Sequence, residues 1–438
     1  MLVIVFCYAF AFAANWSFVE GSTTKITDGN FVLEISTNTS SGETSIVKAL
    51  SSVEPGVLDL RGVENLGLKV TTLEGHSLRD NKPLTLTGFI GNTDLSKIKS
   101  YTFCKQKSLA SAVFEGSISL LEDNVFESCS ALAYVEFANV DNLEAIGGSA
   151  FSQCTSLMQI VPTKFPNVKK IGGSAFLKVP LTDVSLEFPE MVDIGQHAFN
   201  GTRLYKVTAN KLVKGSSDSW FLDSFVKNIE MKSLVDIPNN FCSKNSSLKT
   251  CVVSSAVTNI GNNAFGNCSS LVSLTPMRFT KVQNIGSKAF HQPIFSGVLD
   301  FSLSTFTKLP DHCLRSMPNL SEIRLPETLT EVYSYNFAGI KSSQKVIFLG
   351  DKPVFQSSPI FGENNGRAIV AIRPKYEKSW IEGGAVSPIA NHEGMQNDST
   401  YPGKRLTIGL LDTKNEPKFS YQHWVVRYFD PGTLLICR

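Results

Sequence analysis

Apolar and small residues recur in one fixed order along the middle of the chain. Residues 146–151 read Ile-Gly-Gly-Ser-Ala-Phe, and copies that keep Ile, Gly, Ala and Phe end at Phe176, Phe199, Phe265 and Phe290. Weaker copies end at Phe103, Phe126, Phe241 and Phe337, and one copy has Cys313 in the phenylalanine position. Adjacent copies lie 23 to 25 residues apart, and a fixed period of this length is the signature of a repeat architecture.

The period also predicts how the repeats are arranged. About eleven units fit between residues 96 and 360 at this spacing. The stretch from Phe199 to Phe241 is 42 residues long, which fits two shorter units with Phe221 or Phe225 in the phenylalanine position. Because one unit cannot bury its apolar side alone, successive units must stack to make a continuous core.

A second pattern follows the phenylalanine of several repeats. Cysteine, leucine and another aliphatic residue follow Phe126 in steps of three, as Cys129, Leu132 and Val135. Alternate residues of a strand point to opposite faces, so this segment predicts a short strand whose anchored residues face the interior. Strands about 4.8 Å apart would build a parallel sheet roughly 50 Å long over the whole repeat region. The predicted fold is a β-rich repeat solenoid with one parallel strand in each turn.

These residues resemble the BspA-like leucine-rich repeats, whose unit reads Cys-x-x-Leu-x-x-Ile-x-Leu-Pro followed by Ile-Gly-x-x-Ala-Phe. The resemblance covers residues 96–382, where 371–374, Tyr376 and Trp380 look like the closing repeat. Several strands lack the final Leu-Pro, and region 200–240 is irregular, so we expect a kink or bulge there. The resemblance implies a leucine-rich-repeat solenoid and attachment to host extracellular proteins and other cells.

The segments on either side of the repeats have other patterns. Residues 15–95 alternate apolar and polar residues in short runs, which is typical of strands. We interpret them as a β-rich N-terminal cap, with degenerate repeats as the alternative. Residues 383–438 predict a small C-terminal β module of unassigned role, with possible strands at 405–411 and 423–429.

Residues 1–14 resemble a targeting segment more than a part of the fold. The run 2–14 is apolar throughout and ends in small residues around Ala13. It is shorter than the stretch of about 20 residues that crosses a bilayer and is typical of a secretory signal peptide. We therefore predict export to the cell surface or beyond, with a buried first strand as the alternative. No other stretch reaches 18 apolar residues, so we expect no transmembrane segment in the mature chain.

Charge and composition narrow the class of protein. The 438 residues include 41 Lys and Arg against 39 Asp and Glu, a formal net charge of +2. This balance gives no basic surface of the kind that binds nucleic acid, so we predict no nucleic-acid partner. A hydrophobic fraction of 42% is too high for a disordered chain and too low for a polytopic membrane protein.

Sequence motifs for catalysis or metal binding are lacking. The chain has no Cys-x-x-Cys pair, no phosphate-binding loop, no Gly-x-Ser-x-Gly and no His-Glu-x-x-His. We therefore predict no catalytic residue, no metal and no cofactor. Cys129 and Cys154 occupy the same position in adjacent repeats. We expect them to be buried thiols, with a disulfide between them as the alternative.

The sequence thus predicts a non-enzymatic binding protein with a protein partner, host extracellular or at a cell surface. The alternative is an enzyme or an envelope-structural protein that uses the repeat as a targeting scaffold. Solenoids present extended binding surfaces, so the candidate contacts are outward residues of the strands: Tyr134, Glu136, Gln159, Asp183, Lys206, Thr208, Thr250, Thr275, Glu322 and Arg324. Tyr134 is the leading candidate, since aromatic anchors carry much of an interface. A rival location is the segment 210–228, where Trp220, Phe221 and Phe225 would form an exposed apolar protrusion.

Overall fold

In the computed structural model, most turns of the chain contribute two strands, one long and one of about two residues. The structure describes residues 13–79, 84–341 and 344–356 and, beyond these, Ser379 and the short strands given below. Residues 1–12 of the predicted signal peptide, and most of the closing repeat and of 383–438, lie outside the described residues. The chain divides into two compact units, Met1–Val226 and Lys227–Arg438.

The first unit is built on two sets of parallel strands. Its long strands are Gly56–Asp59, Leu86–Gly91, Ser111–Ser117, Tyr134–Asn139, Gln159–Val161, Ser185–Glu187 and Lys206–Thr208. The strands that alternate with them are Lys69–Leu73, Lys97–Ile98, Leu120–Leu121, Ala145–Ile146, Lys170–Ile171 and Asp193–Ile194. The predicted β-solenoid with a parallel strand in each turn is confirmed. The second, short strand of each turn was not predicted. Where the repeat keeps its Ile-Gly pair, as in Ala145–Ile146, Lys170–Ile171 and Asp193–Ile194, this strand ends at the isoleucine.

The beginning of the first unit is antiparallel. Ser17–Phe18, Lys25–Thr27, Phe31–Thr37 and Glu43–Ser52 pair in that order. Glu43–Ser52 then pairs in parallel with Lys69–Leu73, the first of the alternating strands, and a single 3-10 turn lies at Val63–Leu66. The described part of 15–95 therefore contains antiparallel strands and also parallel turns, since Gly56–Asp59 and Leu86–Gly91 pair in parallel with one register shift. The boundary at residue 96 stays a prediction.

The second unit repeats the same plan. Its long strands are Asn228–Glu230, Thr250–Val252, Ser273–Thr275, Gly297–Asp300, Leu320–Leu325, Lys345–Phe348 and Ile369–Ile372. The short strands are Asp236–Ile237, Asn259–Ile260, Asn284–Ile285, Lys308–Leu309, Glu331–Val332 and Val354–Phe355. Val425–Tyr428 adds to the sheet in parallel beside Ile369–Ile372, and Leu406–Thr407 and Ser387–Pro388 follow in antiparallel order. The predicted strands at 405–411 and 423–429 are thus present in shortened form.

The parallel sheet is interrupted where we expected one continuous sheet. In the first unit the ladder of long strands stops after Gln159–Val161, and in the second unit it stops after Ser273–Thr275. Each of these strands is followed directly by a proline. Leu320–Leu325 is also followed by a proline and pairs on both sides, so the proline alone does not explain the breaks. Beyond each break, single bridges join Lys164 to Glu187 and Arg278 to Asp300.

The core of the first unit is a stack of phenylalanine rings. Ring centroids lie 5.4 Å apart between Phe126 and Phe151, 5.3 Å between Phe151 and Phe176, and 5.3 Å between Phe176 and Phe199. Phe221 continues the stack, with its ring centroid 5.2 Å from that of Phe199. Of the two candidates that the sequence offered, Phe221 and Phe225, it is therefore Phe221 that occupies the phenylalanine position of the repeat. Such contacts each contribute about 0.5–1.5 kcal/mol beyond area burial, and the stack ties each turn to the next.

The glycine after the repeat isoleucine is required by a close approach between turns. A Cβ added to Gly172 would lie 2.3 Å from the backbone nitrogen of Gly148 in the preceding turn, and one added to Gly195 would lie 2.2 Å from that of Gly173. Any side chain here would separate two turns, so the stacking of the turns requires glycine at this position.

The repeat cysteines are interior thiols. The seven cysteines among the described residues are all free and buried. Cys129 Sγ donates to the Phe103 carbonyl and Cys154 Sγ to the Phe126 carbonyl, each at 3.0 Å. Burial raises the pKa of both thiols. The alternative of a disulfide between Cys129 and Cys154 is not what the structure contains.

Candidate binding surface

In each unit, the outward side chains of the long strands form a surface that we call the strand face of that unit. Along Tyr134–Asn139 and Gln159–Val161, the inward residues Val135 and Ile160 are buried, whereas Tyr134 and Glu136 are partly exposed and Gln159 is exposed. This alternation follows from the strand geometry, in which neighbouring residues point to opposite sides. On these two strands, the strand face therefore carries mainly polar side chains at every second residue, with Val161 among them.

Nine of the ten predicted contact residues lie on long strands, and none of the nine is buried. They are Tyr134, Glu136, Gln159, Lys206, Thr208, Thr250, Thr275, Glu322 and Arg324. Asp183 lies two residues before the strand Ser185–Glu187 and has a φ of 63°. It belongs to the preceding turn, because its strand begins later than the sequence pattern indicated.

In the first unit, three predicted residues come together. Tyr134 lies opposite Gln159 across parallel strands, with Ser111 on its other side. The hydroxyl of Tyr134 donates to a carboxylate oxygen of Glu136 at 2.5 Å. The structure thus holds an aromatic ring and a carboxylate side by side at the centre of three strands.

A group of three charged residues, Arg61, Asp59 and Glu115, lies on the same part of the first unit. The sequence analysis did not identify them. Arg61 Nη2 lies 2.6 Å from Asp59 Oδ2, and Arg61 Nη1 lies 3.6 Å from Glu115 Oε1 on another strand. The hydrogen bond to Asp59 raises the pKa of the Arg61 guanidinium. Asp59 is itself anchored, because its backbone carbonyl accepts a hydrogen bond from the indole of Trp16.

In the second unit, Glu322 and Arg324 belong to a network around a buried carboxylate. Arg324 donates to Glu322, and its Nη1 lies 3.7 Å from Asp300 Oδ2. Arg278 Nε lies 3.4 Å from the same oxygen. The Asp300 side chain is only 8% exposed, while that of Arg278 is 62% exposed. One buried acid therefore orients two arginines toward the surface, and Asp300 and Arg278 were both missed by the sequence analysis.

A shared sequence signal marks both clusters. Residues 56–59 and 297–300 both read Gly-Val-Leu-Asp, and the aspartate ends a long strand in each case. The arginine partners could not be located in the same way. Arg324 comes from the next turn and Arg278 from the preceding one, so only the fold brings them to Asp300.

The remaining predicted residues sit in plainer surroundings. Thr250 donates from its hydroxyl to Asn228 Oδ1 at 2.7 Å, and Thr275 pairs across the sheet with Val252. Lys206 lies opposite Ser185, and Thr208 opposite Glu187. These residues extend the strand face beyond the two charged clusters without adding a charged network of this kind.

The rival location at 210–228 does not form the expected protrusion. Trp220 and Phe221 are fully buried, and the Trp220 indole donates to the Ser217 carbonyl at 2.8 Å. Phe225 is 40% exposed, and the guanidinium carbon of Arg203 lies 5.2 Å from its ring centre. The predicted irregularity is present, since no strand forms between residues 209 and 226. The two largest rings nevertheless belong to the core.

Among the described residues, no three histidine, cysteine or acidic side chains come together in an arrangement that would hold a metal ion. Within the same residues, no helix has the length and apolar character needed to span a membrane.

Comparisons with solved structures show chains of related kind at low identity. The chain is 15% identical to the pneumococcal vaccine antigen PcpA, with 85% of this chain and 96% of that chain covered and a TM-score of 0.45. It is 16% identical to a leucine-rich repeat protein from Bacteroides ovatus, with coverages of 79% and 94% and a TM-score of 0.41. For a leucine rich cell surface protein from Faecalibacterium prausnitzii, the identity is 16%, the coverages are 79% and 100%, and the TM-score is 0.36.

A comparison with curated proteins found no match. A comparison with protein families found the BspA type leucine rich repeat region, matched over residues 81–189, 169–294 and 235–361. These ranges together cover more than half of the chain, and they contain the phenylalanine stack and most of the strand face. The chain belongs to the family of BspA type leucine rich repeat proteins.

Proposed function

We propose that this chain is an exported, non-enzymatic binding protein that attaches to a protein on a host or cell surface through its strand face. The observation that carries the proposal is the Tyr134–Glu136 pair at the centre of in-register strands. The hydrogen bond orients the ring before any partner arrives, and a preorganised side chain loses less freedom on binding.

The chemistry of the strand face favours a protein partner. Most of its residues are uncharged polar groups mixed with charges of both signs. Arg324 on the strand face, and Arg61 and Arg278 beside it, are held by carboxylates. Tyrosine and arginine are enriched at the energetic centres of protein interfaces. Membership of the BspA type family supports the same conclusion, because the family resemblance implies adhesion.

The proposal is tested by measuring binding of the chain from residue 15 onward to immobilised extracellular-matrix proteins and to intact host cells. Tyr134→Ala should weaken binding, whereas Tyr333→Ala should not. Tyr333 is a matched control, since its hydroxyl also donates to a glutamate two residues away, Glu331, but beside a short strand and off the strand face. Equal loss in both variants, or binding only to further copies of the same chain, would contradict the proposal.

Export is tested separately. N-terminal sequencing of protein from the native host should give a chain that begins near Ala14. An intact Met1 on material from the cytosol would contradict both export and the adhesion role.

A further inference from the structure

Two turn positions, three residues apart, line up across three consecutive turns of the second unit. Lys288, His312 and Tyr335 occupy the first position, each with a φ of 57°. His291 and Arg315 occupy the second position. Backbone hydrogen bonds join the turns: Lys288 N–H donates to the Asp311 carbonyl and His312 N–H to the Ser334 carbonyl. These side chains, which we call the basic cluster, are therefore neighbours in space.

The rings and the guanidinium of the basic cluster are in contact. The His312 ring stacks on the Tyr335 ring, with centroids 4.9 Å apart and planes at 28°. The guanidinium carbon of Arg315 lies 5.4 Å from the centre of the same tyrosine ring, a cation–π distance. The ring centroids of His291 and His312 are 6.3 Å apart. Tyr335 thus holds both a histidine and an arginine in fixed orientations.

Three nitrogens of the basic cluster lack a hydrogen-bond partner. His291 Nδ1, His312 Nδ1 and Arg315 Nε are buried and unpaired among the residues that the structure describes. Nearly all buried polar groups in folded proteins are paired. Three unpaired nitrogens in one cluster therefore indicate a place for a polar partner that is not part of the described chain.

The charges of the basic cluster indicate that this partner is negatively charged. Lys288 and Arg315 form no ion pair within the described part of the chain. Asp311, the acid that faces His312, already accepts the Ser334 N–H at 2.9 Å. Burial and then the charges of Arg315, His312 and Lys288 lower the pKa of His291 to about 4. Burial and then Arg315 and Lys288 lower the pKa of His312, against the opposing effect of Asp311. The positive charges repel one another, so an anion would relieve them.

The first unit contains a similar arrangement of histidine, tyrosine and arginine, but there the histidine nitrogen has a hydrogen-bond partner. Residues 76–79 read His-Ser-Leu-Arg and residues 312–315 read His-Cys-Leu-Arg. The His76 ring stacks on Tyr101 at 4.8 Å, and the Arg79 guanidinium carbon lies 5.9 Å from that ring. Here, however, Arg79 Nη1 lies 3.3 Å from His76 Nδ1, so the imidazole nitrogen is paired. A carboxylate, that of Glu127, also approaches Cys104 beside this site.

We propose that Lys288, His291, His312 and Arg315 form a binding site for a tetrahedral oxyanion, either free sulfate or phosphate or a sulfate ester carried by a glycan. A guanidinium presents several N–H donors in a planar fork that matches such oxygens. Protonated imidazoles supply further N–H donors, and Lys288 adds a point charge. The site is independent of the strand face and of the function proposed above.

Binding at this site depends on pH in a defined direction. An anion favours the charged imidazolium over the neutral ring, so it raises the histidine pKa values and takes up protons on binding. The affinity for sulfate, which carries the same double negative charge at both values, is therefore higher at pH 5 than at pH 7.5. Lys288 and Arg315 supply the weaker interaction that remains at the higher pH.

The test measures sulfate and phosphate binding to the full chain by calorimetry at pH 5 and pH 7.5, with ionic strength held constant by chloride. Arg315→Gln should weaken sulfate binding about tenfold or more, since hydrogen bonds to charged groups are strong. Arg79→Gln, at the matched site of the first unit, should leave it unchanged. A heparin-derived disaccharide distinguishes the source: tighter binding than inorganic sulfate assigns the site to a sulfate ester, and equal or weaker binding assigns it to the free ion.

A second measurement uses the unaltered chain, so its result does not depend on whether a variant folds. The Cε1–H NMR signal of His291 should titrate at a higher pH in sulfate than in chloride. The proposal is overturned if sulfate has no effect beyond that of chloride, if Arg315→Gln keeps the full affinity, or if Arg79→Gln loses as much as Arg315→Gln.

Discussion

The hydroxyl of Tyr134 donates a hydrogen bond to the carboxylate of Glu136, two residues further along the same strand, at 2.5 Å. Both side chains point outward because residues two apart on a strand share a face. The carboxylate limits the rotation of the ring, so the two residues act as one unit. Replacing either one changes the surface that a partner meets, but not by the same amount.

We expect Tyr134→Ala to weaken partner binding by about 1–2 kcal/mol, because it removes an aromatic anchor. Glu136→Ala and Lys206→Ala should each cost about 0–1 kcal/mol, since exposed charges contribute little. Tyr134→Phe keeps the ring and removes only its hydrogen bond to Glu136, so its loss of binding free energy should fall between these values. Dissociation constants from surface plasmon resonance decide the order, with circular dichroism as the folding control. A larger loss in Lys206→Ala than in Tyr134→Ala would contradict the assignment.

Phe151→Ala should lower the free energy of unfolding by about 3–5 kcal/mol, because it removes a buried ring and leaves a cavity. The ring stacks against Phe126 on one side and Phe176 on the other, so destabilisation should spread to neighbouring turns. Phe225→Ala is the matched control; its ring is 40% exposed, and the cost should stay below about 1 kcal/mol. Urea unfolding followed by circular dichroism gives both values, and similar costs for the two variants would argue against the stack.

Two adjacent glycines should respond differently to alanine. A Cβ on Gly147 would lie 2.3 Å from the backbone of Glu122, whereas a Cβ on Gly148 would lie no closer than 3.4 Å to any atom, the nearest being Asp123 Oδ1. Gly147→Ala should therefore destabilise the first unit by about 1–3 kcal/mol, as overpacking does. Gly148→Ala should cost less, because alanine also restricts the unfolded chain. Melting temperatures of the two variants test this, and equal values would mean that the turns can move apart freely.

Stability should depend on pH through His291. Its pKa falls from 6.5 to about 4 in the folded chain, chiefly through burial, so the unfolded chain binds more protons between these values. The free energy of unfolding should therefore decrease as pH falls from about 6.5 to about 4, and this contribution should level off outside that range. His291→Gln should flatten the curve measured in chloride. His312→Gln should flatten it less, because that ring is less deeply placed. A curve unchanged by His291→Gln would contradict the buried, neutral imidazole.

Sequence periodicity was sufficient to predict the interior of this protein. Ile, Ala and Phe recur at one spacing because each turn meets the next in the same way, and Cys313 was correctly placed in the phenylalanine position, where it is fully buried. The choice between Phe221 and Phe225 could not be made, since both fit the spacing. The breaks after Val161 and Thr275 were missed because the phenylalanine spacing stays at 25 residues across both of them, from Phe151 to Phe176 and from Phe265 to Phe290.

The strand face was less predictable than the core. Alternation along a strand placed Tyr134, Glu136 and Gln159 correctly on the outside. It could not show that Tyr134 and Glu136 pair, or that Asp300 gathers Arg278 and Arg324, because such contacts depend on side-chain length and on turns that are distant in sequence. Asp183 was misplaced for a simpler reason: the strand begins at Ser185, and the period-two pattern does not mark where a strand starts.

The buried thiols make the reversibility of unfolding depend on the redox conditions around the protein. Cys129 and Cys154 each donate to a carbonyl of the preceding turn, and Cys242 Sγ lies 3.5 Å from Cys268 Sγ. Burial keeps the pKa of the Cys242 thiol high, and the thiolate is the form that reacts. Burial protects such a thiol from oxidants only while its turn stays folded against the neighbouring turns. In an oxidising compartment, each opening of a turn would expose several thiols at once, and oxidation to disulfides absent from the native fold would make the unfolding irreversible.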